Sequence, residues 1–318
     1  MGDVPVLFDG VVKRYGDVRA LDHVSLEVPP ARMYGLIGPD GAGKTTAIRV
    51  LCGLLHADAG RVRVLGHDPV REHRAVVRSV GYLSQRFSLY GDLSVDENIA
   101  FFAEIHGLRR YGAQRDRLLE MTQLTPFRGR LADRLSGGMK QKLALACTLV
   151  HEPRLIVLDE PTTGVDPVSR REFWRLLSGF LQMGITVLVS TPYLDEAERC
   201  AYVALLHEGR LLALDSPDAL RRSLPGRIVE VTADDPQRVI DAVRSVQGVE
   251  DVQLFGTRTH VRIAGGDQQS SITRIEEALA ARQVPVRGFR QIPPSLEDVF
   301  IARLPLGSDR ATTPAPPS

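Results

Sequence analysis

The stretch GPDGAGKTT, residues Gly38 to Thr46, constrains this chain more than any other. Its spacing fits G-x-x-x-x-G-K-[ST], a loop whose backbone amides cradle phosphate oxygens; Gly38, Gly41 and Gly43 leave those amides clear. With Pro39, Asp40, Ala42 and Thr46 they form the candidate cradle, to which Lys44 adds a point charge and Thr45 a hydroxyl for Mg²⁺. Tyr34 to Ile37 reads as a short apolar strand. Thr45 to Leu55 reads as a helix whose positive N-terminal end faces the phosphates. The 318 residues contain four lysines and thirty-six arginines, so a lysine at 44 is not incidental. A slender ammonium fits inside such a loop where a guanidinium fork does not.

A second segment, LIVLDEP from Leu155 to Pro161, is a run of apolar residues ending in two carboxylates. A buried parallel strand delivers acids to its C-terminal edge in this way. Alone, the segment could equally be a core strand ending in a solvated acidic turn. Behind a phosphate cradle, Asp159 is expected to hold Mg²⁺ through water and Glu160 to polarise the attacking water. A third segment, LSGGMKQ from Leu135 to Gln141, would by itself be a flexible turn capping an apolar helix, Met139 to Val150.

Taken in chain order, Gly38 to Thr46, then Leu135 to Gln141, then Leu155 to Pro161, the three segments resemble the ATP-binding cassette (ABC) ATPases. The resemblance covers residues 4 to about 304 and implies ATP and Mg²⁺ as cofactors. In that family the signature loop brings a serine, two glycines and a helix N-terminus to the ATP held by the opposite subunit. Ser136, Gly137 and Gly138 match it, and Gln141 belongs to the same expected contact. The resemblance further implies that Tyr15, in KRYGDVRAL, stacks on adenine. Gln85, in YLSQRFSLY, becomes the glutamine linking Mg²⁺ and the attacking water to the membrane-facing surface. Asp166, in GVDP, lies in the loop that crosses the dimer seam. One position departs from the pattern. Where the family places a switch histidine after the strand Ile185 to Ser190, this chain has Pro192, in STPYLDEAE. Proline offers no side-chain donor and no amide, and it biases Thr191 towards an extended backbone. Two readings follow. Either the chain pairs with a second, complete ATPase and serves that partner's site through its intact signature loop, or Glu160 suffices with help from Thr191 or Tyr193 in a slow homodimer.

A net charge of +1 and the lack of any long arginine cluster imply no nucleic-acid partner. Cys52, Cys147 and Cys200 have neither metal nor paired spacing and read as reduced core residues of a cytoplasmic protein. The N-terminal PVLFDGVVKRY reads as β and not as a signal peptide. No apolar run approaches ~18 residues, so no span is expected and the membrane is reached only through partners.

The expected architecture is α/β. A P-loop ABC cassette occupies residues 4–222, with a parallel-sheet core, an antiparallel β subdomain and a helical signature subdomain at about 93–150. From Leu93 onward VDENIAFFAEIHGL and RDRLLEMTQL have helical period. Between Gln85 and Glu97, Arg86, Phe87, Leu89 and Tyr90 read either as the surface that receives the membrane subunit or as local core. Leu155 to Leu214 alternates strands and helices, including Pro167 to Met183 and Leu194 to Cys200, as a parallel sheet requires. Residues 227–304 read as βαββαβ, a small ferredoxin-like α+β domain. It ends in PPSLEDVFIARL, which resembles the closing helix of single-cassette drug and antibiotic exporter ATPases. Ser295 is the expected N-cap there, with Glu297 and Asp298 favourable in the first turn. Residues 305–318 are too rich in Pro, Ser and Thr to pack.

The resemblance thus implies a bacterial exporter ATPase, cytoplasmic and peripheral on the inner face of the cell membrane, bound to permease subunits and dimeric with itself or a second ATPase. A nucleotide-binding regulator that clamps without turnover, a soluble cassette acting on nucleic acid or ribosomes, and an importer subunit are the competing classes. The 92 residues between Lys44 and Ser136 argue against DNA-repair members, which insert long coiled coils there. The βαββαβ order argues against the β-barrel that sugar importers often append.

Overall fold

The computed structural model describes residues 4–85, 89–265 and 268–304, and the chain divides into two units between Ser216 and Pro217. In the first, β1 (Val6–Tyr15) and β2 (Val18–Val28) carry the alternation of a half-buried sheet and pair antiparallel. The chain then enters β3 (Met33–Ile37), buried throughout, and α1 (Lys44–Leu51) before β4 (Ala59–Val64) returns to β1. Next come α2 (His73–Ser79), β5 (Val80–Leu83) and three helices: α3 (Val95–Ile105), α4 (Gly112–Met121) and α5 (Gly137–Leu149). β6 (Leu155–Asp159), α6 (Pro167–Gln182), β7 (Thr186–Thr191), α7 (Leu194–Ala197), β8 (Tyr202–His207) and β9 (Arg210–Asp215) complete the unit.

The large sheet has the order β5-β6-β7-β3-β8-β9, parallel except for its last strand. β7 lies between β3 and β6, with Ile37 opposite Thr191 and Asp159 opposite Ser190. This register brings the ends of all three strands to one edge, where open α/β sheets bind ligands. Leu21 and Val24 of the small sheet, Ile48 and Leu51 of α1, and Leu155, Val157 and Leu188 of the large sheet share one core. Each such side chain contributes about 1.5–3 kcal/mol on burial.

Two helices are shorter than the sequence suggests. α1 stops at Leu51 and not at Leu55 because Gly53 takes a left-handed φ of 69°. The Gly53 amide donates to Val50 O at 3.1 Å and that of Leu54 to Arg49 O at 2.9 Å, a Schellman closure. α7 ends at Ala197 and not at Cys200, because the Arg199 and Cys200 amides donate three residues back, to Glu196 and Ala197.

The second unit begins with α8 (Pro217–Arg222), which lies inside the expected cassette range of 4–222; α8 packs on the terminal helix of this unit. It continues through β10 (Arg227–Ala233), α9 (Pro236–Val243), β11 (Val249–Phe255), β12 (Arg258–Ile263), α10 (Gln268–Ala281), β13 (Val286–Ile292) and α11 (Leu296–Arg303). Its antiparallel sheet has the order β11-β12-β10-β13, the ferredoxin-like arrangement that βαββαβ implies. Val229, Val231, Val261 and Ile263 point from the sheet into a core with Val239 and Ile275. Ser295 caps α11 as expected. Asp298 does more than favour the first turn: it is buried, accepts from the Ser295 amide at 2.7 Å and meets His260 Nδ1 at 2.9 Å. Among the described residues no helix is long and apolar enough to cross a membrane.

Candidate functional site

The loop between β3 and α1 needs its glycines for two reasons. Gly41 and Gly43 have φ of 79° and 101°, which other residues rarely adopt. Gly38 and Gly43 are also crowded: a Cβ would stand 2.2 Å from Leu206 O at the first and 2.4 Å from Ala20 O at the second. α1 has no acidic residue in its first turn, so its positive end is left for an anion. Lys44 is 4% exposed, and its Nζ donates to Gly38 O at 2.8 Å and Pro39 O at 3.0 Å. The same Nζ pairs with Glu160 Oε1 at 3.2 Å.

The two acids leave β6 in different directions. Asp159 Oδ1 accepts from Thr45 Oγ1 at 3.2 Å and from Ser190 Oγ at 2.6 Å. Glu160 adopts a left-handed φ of 49°, an uncommon conformation for a non-glycine residue, and its amide donates to Ser190 O at 3.1 Å and Ser190 Oγ at 3.0 Å. Its Oε2 accepts from Gln85 Nε2 at 3.1 Å and Thr163 Oγ1 at 3.4 Å. Lys44, Thr45, Gln85, Asp159 and Glu160 therefore form one connected cluster. Thr45 and Asp159 offer hard oxygen donors side by side, suited to Mg²⁺, which keeps waters and phosphate oxygens as further ligands. Among the described residues no group of three or more His, Cys, Asp or Glu could hold a metal by itself.

The other expected contacts lie apart. Among the described residues, no hydrogen bond or ion pair joins Tyr15, Ser136, Gly137, Gly138, Gln141 or Asp166 to this cluster. Tyr15, at the end of β1, is half-exposed, with Lys13 Nζ 5.9 Å from its ring centroid. Ser136 caps α5 by accepting from the Met139 amide, and Gly137 faces open space. Gly138 has a packing reason: a Cβ there would lie 2.3 Å from Ser169 Oγ on α6. Asp166 caps α6; hydrogen bonds from Ser169 and Val168 hold its carboxyl below the usual 3.8.

Pro192 follows the last residue of β7, so Thr191 is extended as expected. Thr191 is 1% exposed and its hydroxyl donates to Glu196 Oε2 at 2.6 Å, so this group is already engaged. Tyr193 is partly exposed, with the Arg170 guanidinium 4.8 Å above its ring. Sequence reasoning missed Ser190 and Glu196; the signal was a polar residue closing the apolar run ITVLVS and an acid in the short helix after it.

Of the expected membrane-facing residues, Arg86 and Phe87 lie outside the described ones. Tyr90 is half-exposed and packs edge-on against Phe101, with ring centroids 4.5 Å apart. Nearby, a groove of about 220 Å³ is lined by Leu54, Val77, Tyr82, Phe102, His106 and His151. The His106 and His151 rings stack at 3.8 Å, and burial pushes His151 down to about 4. Sequence reasoning missed this groove, because its walls come from four separate segments.

Comparison with known proteins gives two family matches: ABC transporter over residues 21–163, and ATP-binding protein DrrA1-3-like, C-terminal domain, over residues 216–303. The chain is 38% identical over 307 residues to the probable multidrug ABC transporter ATP-binding protein YbhF of Escherichia coli (strain K12). That alignment takes in 95% of this chain but 52% of YbhF, so the chain spans about half of that relative's length. It is 36% identical over 304 residues to the daunorubicin resistance ATP-binding protein DrrA3 of Streptomyces coeruleorubidus, covering 95% of this chain and 96% of DrrA3. A solved ATP-binding subunit of an ABC transporter superposes with a TM-score of 0.62 at 29% identity, covering 68% of this chain and 92% of its own.

Proposed function

The chain belongs to the ABC transporter ATP-binding proteins, and from that premise we propose that it is the ATP-hydrolysing subunit of an exporter for drug-, antibiotic- or lipid-like cargo. Residues 4–222 would form the cassette, with its helical subdomain at about 93–150, and residues 227–304 an accessory domain. The observation that carries the reading is the cluster Lys44–Thr45–Gln85–Asp159–Glu160, assembled at one sheet edge from the ends of β3 and β6 and the Gln85 loop, with Ser190 of β7 between the two strands. The DrrA-like second unit supports export.

In this reading the loop amides of Gly38 to Thr46 and Lys44 hold the phosphates of ATP, while Tyr15 stacks on adenine. Thr45 and Asp159, with Gln85, would hold Mg²⁺, and the ion would supply charge neutralisation for the transferred phosphate. Glu160, kept in place by Gln85 and Ser190, orients and polarises the attacking water. ATP entering the site takes Lys44 away from Glu160, which leaves that carboxylate for the water. Ser136, Gly137, Gly138 and Gln141 reach the nucleotide of a second cassette, and Asp166 lies at the seam between the two. ATP then favours the closed dimer because both faces share it, and phosphate loss removes the shared contacts. The groove lined by Tyr82, Phe102 and His106 would be the surface offered to the permease, and the chain would reach the cytoplasmic face of the membrane through such partners.

Pro192 favours a second reading within the same complex: a nucleotide-clamping, weakly hydrolysing subunit beside a complete second ATPase. The test is ATP hydrolysis and Mg·ATP-dependent dimerisation of the full chain, alone and in the complex purified from membranes. Turnover by the chain alone at several per second, abolished by Glu160→Gln, favours the homodimer; a co-purifying second ATPase favours the clamp. Nucleotide-driven association unaffected by Lys44→Ala and Ser136→Arg would sink both.

A further inference from the structure

A carboxyl group outside every motif stands at the centre of the loops around Pro192. Glu196, on α7, is 1% exposed. Its Oε1 accepts from Thr162 Oγ1 at 2.6 Å and from Trp174 Nε1 at 3.3 Å, and its Oε2 accepts from Thr191 Oγ1 at 2.6 Å. Arg170 Nε approaches Oε1 to 3.6 Å. Burying a carboxyl group costs free energy unless such partners surround it.

The sources of those partners carry the inference. Thr162 belongs to the loop that begins at Glu160, and Thr191 immediately precedes Pro192. Arg170 and Trp174 lie on α6, the helix that Asp166 caps. A second line of contacts closes the circle: the Tyr193 amide donates to Thr191 Oγ1 at 3.1 Å, and the Tyr193 ring lies beneath Arg170. On its other side Glu160 is already tied through its amide to Ser190, the neighbour of Thr191. The catalytic-acid loop and the loop after β7 are therefore joined twice, once through Ser190 and once through Glu196.

We propose that Glu196 is a positioning residue for hydrolysis, binding the Glu160 loop, the Thr191–Tyr193 loop and the start of α6 into one unit whose geometry a proline at 192 does not supply. This rests on the reading that the chain hydrolyses ATP. Glu196 touches neither nucleotide nor water; it acts by fixing where the Glu160 carboxylate stands.

The test uses the full chain with Mg·ATP, under single-turnover as well as steady-state conditions. Glu196→Gln keeps the volume but presents an NH₂ where a hydroxyl donates. Misplacing a catalytic group by ~1 Å costs up to about a hundredfold, so Glu196→Gln is expected to lower kcat at least about tenfold while KM for ATP stays within about twofold. Thr162→Val and Thr191→Val, milder changes that each remove one hydroxyl, should each lower kcat, and their losses should be less than additive with that of Glu196→Gln. Amide hydrogen exchange should quicken together in residues 160–166 and 191–197, with Gly38 to Thr46 unchanged. Unaltered kcat in the folded Glu196→Gln protein, or faster exchange confined to α7, overturns the proposal. If Glu160→Gln itself leaves hydrolysis intact, the assignment of Glu160 is what fails, and the exchange result still decides the role of Glu196.

Discussion

Lys44 satisfies its ammonium group inside the loop it belongs to, with two carbonyls and the Glu160 carboxylate as partners. An arginine cannot place a compact charge there, and each charge-assisted hydrogen bond contributes about 1.5–3 kcal/mol. Lys44→Arg should therefore weaken ATP binding by about tenfold to a hundredfold or more, read from titration with a fluorescent ATP analogue. Glu160→Gln acts differently, because it frees Lys44 from its ion pair while removing the group proposed to polarise water. Its hydrolysis rate should fall on the order of 10²–10⁴ with no loss of ATP affinity, seen by pairing a phosphate-release assay with the same titration. That Lys44, Asp159 and Glu160 belong to one site was legible in the sequence from short spacings: a glycine pattern around Lys44, an apolar run before Asp159 and Glu160. Ser190 and Glu196 were not, since their partners Asp159 and Thr162 lie 31 and 34 positions away and meet them only through strand pairing and helix packing.

At the scale of elements, α5 and α6 approach so closely at Gly138 that a methyl group would displace Ser169. Gly138→Ala should destabilise the protein by about 1–3 kcal/mol, lowering the thermal midpoint, with partial recovery when Ser169→Gly is added. A glycine read from sequence as a ligand contact thus has a packing duty as well, which no local pattern reveals. The attachment of α11 has its own signature in pH. Burial would raise the Asp298 carboxyl, but hydrogen bonds from His260 and Ser295 outweigh it and hold the group below 3.8. A depressed carboxyl stabilises the fold above its unfolded value, and that contribution is lost as pH falls through the native value. Asp298→Asn should accordingly cost about 1–3 kcal/mol at neutral pH, and the difference from wild type should shrink in acid, measured as thermal midpoint against pH. The cap at Ser295 could be read from PSLEDVF, whereas the bond from His260 to Asp298 could not, because β12 is brought under α11 only by the folded sheet.

For the whole molecule, the sequence made the succession of elements plain, including the βαββαβ order of the second unit. The strand order β5-β6-β7-β3-β8-β9 was not, since parallel neighbours are chosen by crossovers and not by adjacency. The boundary between units shifted for a related reason: α8 packs on α11, a contact that no local pattern in the sequence reveals. All three cysteines are buried, and burial pushes the Cys52 and Cys200 thiols up to about 12 and raises Cys147 as well. The native protein should therefore resist a thiol reagent at mildly alkaline pH and titrate three equivalents once denatured. The interleaving of β7 between β3 and β6 has a last consequence. If, as proposed, the grip on phosphate and the means of cleaving it arrive on different strands, a gene can change the one and keep the other, so that an engine and a latch are separated by few mutational steps.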